Sequence, residues 1–277
     1  MLLRTLISVD ELKACADDSK VVILDCRFYL TDHGKAKREY DKGHIPKAIF
    51  VDVHHELASA ETTTSGRHPL PSEEVFAKQL QQWGVDLDSH VVVYDDASGA
   101  IAARAWWMLA QQGIDVRVLD GGLPAWVRAD LPLSDTNEVP VASSASLSVA
   151  FPWVVDVTQV IENMETDVFQ LVDARAESRY QGEEETIDPV AGHVPGALNH
   201  PYSQNLDKNG CLKSPEALRG VWQDLVDQNK TLVNYCGSGI TACHNVLALN
   251  HAGVDFNQVY VSSWSQWSKR MLQAAGL

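Results

Sequence analysis

The chain repeats itself, and this constrains its fold more than any other feature. Leu24-Asp25-Cys26-Arg27 is echoed by Val172-Asp173-Ala174-Arg175, and Gly43-His44-Ile45-Pro46 by Gly192-His193-Val194-Pro195. Val91-Val92-Val93-Tyr94 is echoed by Leu232-Val233-Asn234-Tyr235. Val118-Leu119-Asp120-Gly121-Gly122, ending in Trp126, is echoed by Val259-Tyr260-Val261-Ser262-Ser263, ending in Trp267. The pairs come in the same order, and their offset drifts from 148 to 141 residues, so the first copy carries extra residues between its second and third landmarks. Two homologous domains are expected, 1–135 and 150–277. The linker at 136–149 lies within a stretch rich in Pro, Ser, Asp and Asn that lacks strong periodicity.

Each copy alternates short β-branched runs with helical patterns. In the first copy Val21–Leu24, Val91–Tyr94 and Val116–Leu119 read as buried strands. Between them, Ser72 to Trp83 reads as an amphipathic helix with a Ser N-cap, and Ala100 to Gln112 as a helix closed by Gly113. Strands alternating with helices imply an α/β fold, each domain a parallel sheet flanked by helices. In open α/β sheets ligands bind beyond the carboxyl ends of the strands, which directs attention to the residues after Tyr94 and Tyr235.

After Tyr235 comes Cys236-Gly237-Ser238-Gly239-Ile240-Thr241, then a helical run from Ala242 to about His251. A cysteine at a strand end, in a Gly-rich loop that opens a helix, lets backbone N–H groups curl around the sulfur while the helix dipole adds positive potential. Both effects favour the nucleophilic thiolate, and the same nest suits an anionic persulfide. Ser238 and Thr241 add hydroxyl donors. Cys15, Cys26 and Cys243 read as packing residues, and Cys211 lies in a polar turn with nothing to activate it. In the first copy Asp95 takes the place of Cys236, so one copy alone can be catalytic.

Composition narrows the function classes. The formal charge of -15 and the lack of a dense Lys/Arg run argue against nucleic-acid binding. No apolar run reaches membrane-spanning length, and no secretory signal is visible, so a soluble cytoplasmic protein is expected. Five cysteines without a CxxC pair suggest free thiols, with neither a disulfide framework nor a zinc site.

Over essentially its whole length the sequence resembles the tandem-domain sulfurtransferases of the rhodanese family, which act on thiosulfate or 3-mercaptopyruvate. The two Gly-His-aliphatic-Pro elements, the cysteine loop and the Trp near each domain's end carry the resemblance. It implies a persulfide on Cys236, a substrate held by Arg179 and by the loop residues Gly237, Ser238, Gly239, Ile240 and Thr241, and no metal or organic cofactor. The expected partners are a small anionic sulfur donor and a cyanide, small-thiol or thioredoxin-like acceptor, handled by a monomer. The neutral Cys-Gly-Ser-Gly-Ile-Thr loop looks like the mercaptopyruvate type. The second Arg usual in that type is missing from Glu185-Thr186-Ile187-Asp188-Pro189-Val190, with Lys47, Arg67 and Arg104 as candidates to add charge from the first domain. His68 matches the histidine considered for a Ser-His-Asp relay with Ser238. The acid's place falls on His54, and Asp52 lies two positions earlier. His44, His193, Asp25 and Asp173 recur in both copies, which argues for structural roles.

Two other classes remain to be weighed. A cysteine-dependent phosphatase needs Arg six positions after the cysteine, where this chain has Ala242. A non-catalytic binding module has no need of an intact cysteine loop.

Overall fold

The computed structural model describes residues 4–227, 230–255 and 258–276, and they form two compact units. One comprises Met1–Ser59, Pro71–Pro152 and Lys208–Leu212, the other Ala60–Leu70, Trp153–Asp207 and Lys213–Leu277. Each unit thus takes a short segment from the other half of the sequence.

The first unit is built on a five-stranded, all-parallel sheet of β1 (Leu6–Ile7), β2 (Val21–Asp25), β3 (Ala48–Phe50), β4 (His90–Tyr94) and β5 (Asp115–Leu119), in the order β1-β5-β4-β2-β3. The second repeats it with β6 (Val154–Val155), β7 (Phe169–Asp173), β8 (Leu198–Asn199), β9 (Thr231–Tyr235) and β10 (Gln258–Tyr260), in the order β6-β10-β9-β7-β8. The expected fold class is what the chain adopts.

The central strands are buried because both faces of the sheet are covered. In the second unit Leu171, Val233 and Tyr235 pack with Val160, Val194 and Trp264. Their neighbours Val172 and Leu232 pack with Trp222 and Leu249. Since alternate strand residues point to opposite faces, this splits one core into two layers. Ile23, Val92 and Tyr94 join Trp126 in the matching cluster of the first unit.

Local signals set several helix bounds. Ser72 accepts from the N–H of Val75 and starts the helix Glu73–Gln82. The helix expected over Ala100–Gln112 is shorter, Ala102–Ala110. At its start the N–H groups of Gly99 and Ile101 are turned onto the Asp95 carboxylate. At its end Gln112 and Gly113 close tight turns onto Leu109 and Ala110. The helix Ala242–His251 has the bounds its sequence suggests. Among the described residues no helix is long and apolar enough to cross a membrane.

The recurring polar residues brace each sheet in the same way. Asp25 binds Arg27 and the Tyr94 hydroxyl, and Asp173 binds Arg175. His44 stacks on Tyr40 at 3.8 Å and His193 on Tyr180 at 3.9 Å, each ring nitrogen meeting its partner's carbonyl.

Candidate active site

The loop between β9 and the helix Ala242–His251 is built around one sulfur. Cys236 is buried, and its Sγ accepts the N–H of Gly239 at 3.1 Å. Gly239 has φ +79°, and a Cβ there would lie 2.1 Å from the carbonyl oxygen of Val261, so the turn that aims this N–H admits only glycine. Cys243, the second residue of the helix, reaches back to the carbonyl of Gly239 at 3.4 Å and packs behind the loop.

The backbone of the cysteine is fixed from the start of the helix Ser263–Ala274. Ser263 Oγ accepts the Cys236 N–H at 3.1 Å and donates to the carbonyl of Tyr260. Trp264 N–H binds the Cys236 carbonyl at 3.0 Å, and Ser265 N–H binds that of Gly237 at 2.9 Å. Ser263 keeps a left-handed φ of +55°, unfavourable for serine, where its repeat partner is Gly122. Sequence reasoning did not single out Ser263. That mismatch within the repeat was the available signal.

The first unit shows the same loop around a carboxylate. Asp95 is buried, and its two oxygens accept four N–H groups at 2.8 Å, from Ala97, Gly99, Ile101 and Ala102. Burial pushes the Asp95 carboxyl up, and the four N–H bonds oppose that rise.

Cations gather beside the cysteine loop. Arg179 Nη2 binds Glu185 Oε1 at 2.9 Å and Asp188 Oδ2 at 3.1 Å, and Arg67 pairs with the other Asp188 oxygen. Both guanidinium groups come up to Gly237: a Cβ on that glycine would lie 2.9 Å from Arg67 Nη2 and 3.5 Å from Arg179 Nη1. Burial pushes Glu185 up, but the N–H groups of Asp188 and Ile187 and the Arg179 guanidinium outweigh it and hold its carboxyl low. Burial wins at Asp188, whose carboxyl is raised despite both arginines. Neither acid was singled out from the sequence. Both lie in the stretch noted only for lacking an Arg.

Arg67 belongs to the short segment that packs with the second unit. Its N–H binds Ser265 Oγ at 3.1 Å, and Lys269 and Gln266 hold the carbonyls of Thr62, Ser65 and Thr64. The next residue, His68, is buried and places Nδ1 2.8 Å from Ser238 Oγ. Asp52 accepts the N–H groups of His54 and His55 and pairs with the His55 ring. The other two cationic candidates lie in the first unit, where Lys47 pairs with Asp17 at the surface and Arg104 is buried and donates to the Leu57 carbonyl. Thr241 begins the helix Ala242–His251 without a side-chain capping bond, and Ile240 is buried.

The rhodanese-like domain family matches twice, at residues 8–129 and 156–270. A probable 3-mercaptopyruvate sulfurtransferase of Pseudomonas aeruginosa is 40% identical over 95% of this chain and 94% of its own length. The thiosulfate sulfurtransferase of Mus musculus is 36% identical over 90% of this chain and 85% of its own. The crystal structure of SseA from Escherichia coli, a 3-mercaptopyruvate sulfotransferase with the rhodanese fold, superposes with a TM-score of 0.82 at 33% identity. It covers 95% of this chain and 99% of that one.

Proposed function

The chain belongs to the rhodanese-like family, and from that premise we propose a sulfurtransferase that passes sulfur from an anionic donor, 3-mercaptopyruvate or thiosulfate, to cyanide or a thiol through a persulfide on Cys236. The observation that carries this reading is the cysteine loop itself: a buried sulfur receiving a loop N–H at 3.1 Å, beside the start of a ten-residue helix.

In the first step the Cys236 thiolate attacks the sulfur of the donor. With thiosulfate the S–S bond breaks and sulfite leaves with the electron pair. With 3-mercaptopyruvate the C–S bond breaks, the donor thiol loses its proton, and the departing enolate takes one up to become pyruvate. Either way Cys236 ends as a persulfide anion. In the second step cyanide or a thiolate, including one from a thioredoxin-like dithiol, takes the outer sulfur and returns the Cys236 thiolate. Covalent transfer of this kind predicts ping-pong kinetics.

The first unit supports the persulfide. The Asp95 oxygens lie two bonds from Cβ, as the outer sulfur of a cysteine persulfide does, and four N–H groups converge on them. By the repeat, the loop around Cys236 is shaped to receive an anion one atom longer than the thiolate. Arg179, in contact with Asp188 and Glu185, holds the anionic end of the donor.

Steady-state assays with each donor, cyanide as acceptor, test the reading on wild type and Cys236→Ser. Turnover by wild type and its loss in the variant are expected. A variant as active as wild type would refute the assignment of Cys236.

A further inference from the structure

Arg67 stands at one end of an ion-pair chain that is electrically balanced. Arg67, Arg179 and Arg175 alternate with Asp188, Glu185 and Asp173. With three cations against three carboxylates, this cluster attracts an anion only through N–H groups aimed at it. Two such groups are present. Arg67 Nη2 and Arg179 Nη1 both come within 3.5 Å of the point where a Gly237 Cβ would be, next to the cysteine. Among the described residues neither nitrogen donates a hydrogen bond to the protein.

Neutralising Asp188 does not by itself account for this placement. Asp188 already meets Arg179, and Arg67 reaches it through Nη1 alone. The Nε of Arg67 is buried with no partner among the described residues, which is costly for a charged donor group. The missing Cβ of Gly237 gives the guanidinium its room, since a methyl group 2.9 Å from Nη2 would push it off the loop.

We propose that Arg67 and Arg179, locked side by side by Asp188, form a paired guanidinium clamp for the carboxylate of a carboxylate-bearing sulfur donor. This deepens the reading above and rests on Cys236 as the sulfur acceptor. Two N–H donors from two forks suit the two oxygens of a planar carboxylate, and Asp188, bridging the forks, is the positioning residue.

The test pairs two alkylating agents that differ only at the recognised group, iodoacetate and its neutral counterpart iodoacetamide, acting on Cys236 in wild type, Arg67→Met and Arg67→Lys. Loss of a charge-assisted pair should slow iodoacetate about tenfold in Arg67→Met while iodoacetamide keeps its rate, and raise KM for 3-mercaptopyruvate about tenfold with kcat little changed. Arg67→Lys, which keeps the charge but not the fork, should fall between, and it carries the test if Arg67→Met does not fold. If the ratio of the two alkylation rates stays within about twofold of wild type in both variants, the clamp is wrong. A fall in that ratio alongside a wild type that turns over neither donor would keep the clamp and sink the sulfur-transfer reading.

Discussion

Ser238 and His68 face each other at 2.8 Å, and the two candidate donors ask different things of that pair. Sulfite leaves thiosulfate without needing a proton. Pyruvate leaves mercaptopyruvate only after one proton comes off the donor thiol and one goes onto the departing carbon. A hydroxyl backed by an imidazole, two residues from the nucleophile, can carry such a proton, and general acid–base help of this kind is worth at least about a hundredfold. Ser238→Ala and His68→Gln should therefore lower kcat/KM for 3-mercaptopyruvate by about a hundredfold and leave that for thiosulfate within about threefold. Equal losses with both donors would mean that the pair shapes the loop and moves no proton. The sequence pointed to Ser238 and His68, and to a relay between them, only through their match to the family, because the two lie 170 positions apart. It named no acid for a full relay, and Asp52 engages its own helix start and His55. Arg67 was one of three cations that sequence could not place, and only its position beside Gly237 separates it from Lys47 and Arg104.

At the scale of elements, the central strands were legible because β-branched runs buried on both faces leave few other readings. The edge strands Leu6–Ile7 and Val154–Val155 were not, since two residues show no alternation. The segment Ala60–Leu70 falls where the offset of the repeat changes. The repeat signalled extra residues there but not that they would pack against the helix Ser263–Ala274, because that packing rests on side chains such as Lys269 and Gln266 with no pattern in the sequence. Comparing matched strands also exposes a weakness in β9. Asn234 pairs in register with Val172, its side chain is fully buried, and neither polar atom has a partner among the described residues. Its repeat partner in β4 is Val93, equally buried. An unpaired buried amide costs about 1–3 kcal/mol, so Asn234→Val should stabilise the protein by about that much. A higher urea midpoint at unchanged slope checks this. A lowered midpoint would assign Asn234 a bonding role that its surroundings do not reveal.

Over the whole molecule, two groups, one in each unit, respond to pH in opposite senses. In the first unit burial, opposed by the N–H bond from Asp52, raises Glu56 to about 7 from an ordinary 4.5. The native state then holds a proton that the unfolded chain has released, so this group's contribution is fully present below pH 4.5 and is lost as pH rises to 7. In the second unit burial lowers His200 from 6.5 to about 4. There the unfolded chain binds the extra proton, so stability is fully present above pH 6.5 and is lost as pH falls toward 4. Each effect amounts to a few kcal/mol at most, because a tenfold change in proton affinity is worth about 1.4 kcal/mol. His200 stacks on Trp222 at 3.8 Å and shares Asn205 with that ring, and Asn205 in turn donates to Asn245 on the helix that follows the cysteine loop. Protonating His200 therefore loads the support behind the helix that follows the cysteine loop. Calorimetry on the full chain separates the two groups. Glu56→Gln should gain on wild type as pH rises from 4.5 to 7, and the stability gap between wild type and His200→Gln should narrow as pH falls from 6.5 to 4. Parallel pH profiles for wild type and both variants would mean that neither group keeps its shifted protonation in the folded chain. A changed profile in the His200 variant alone would leave the acid sensitivity with the unit that holds Cys236.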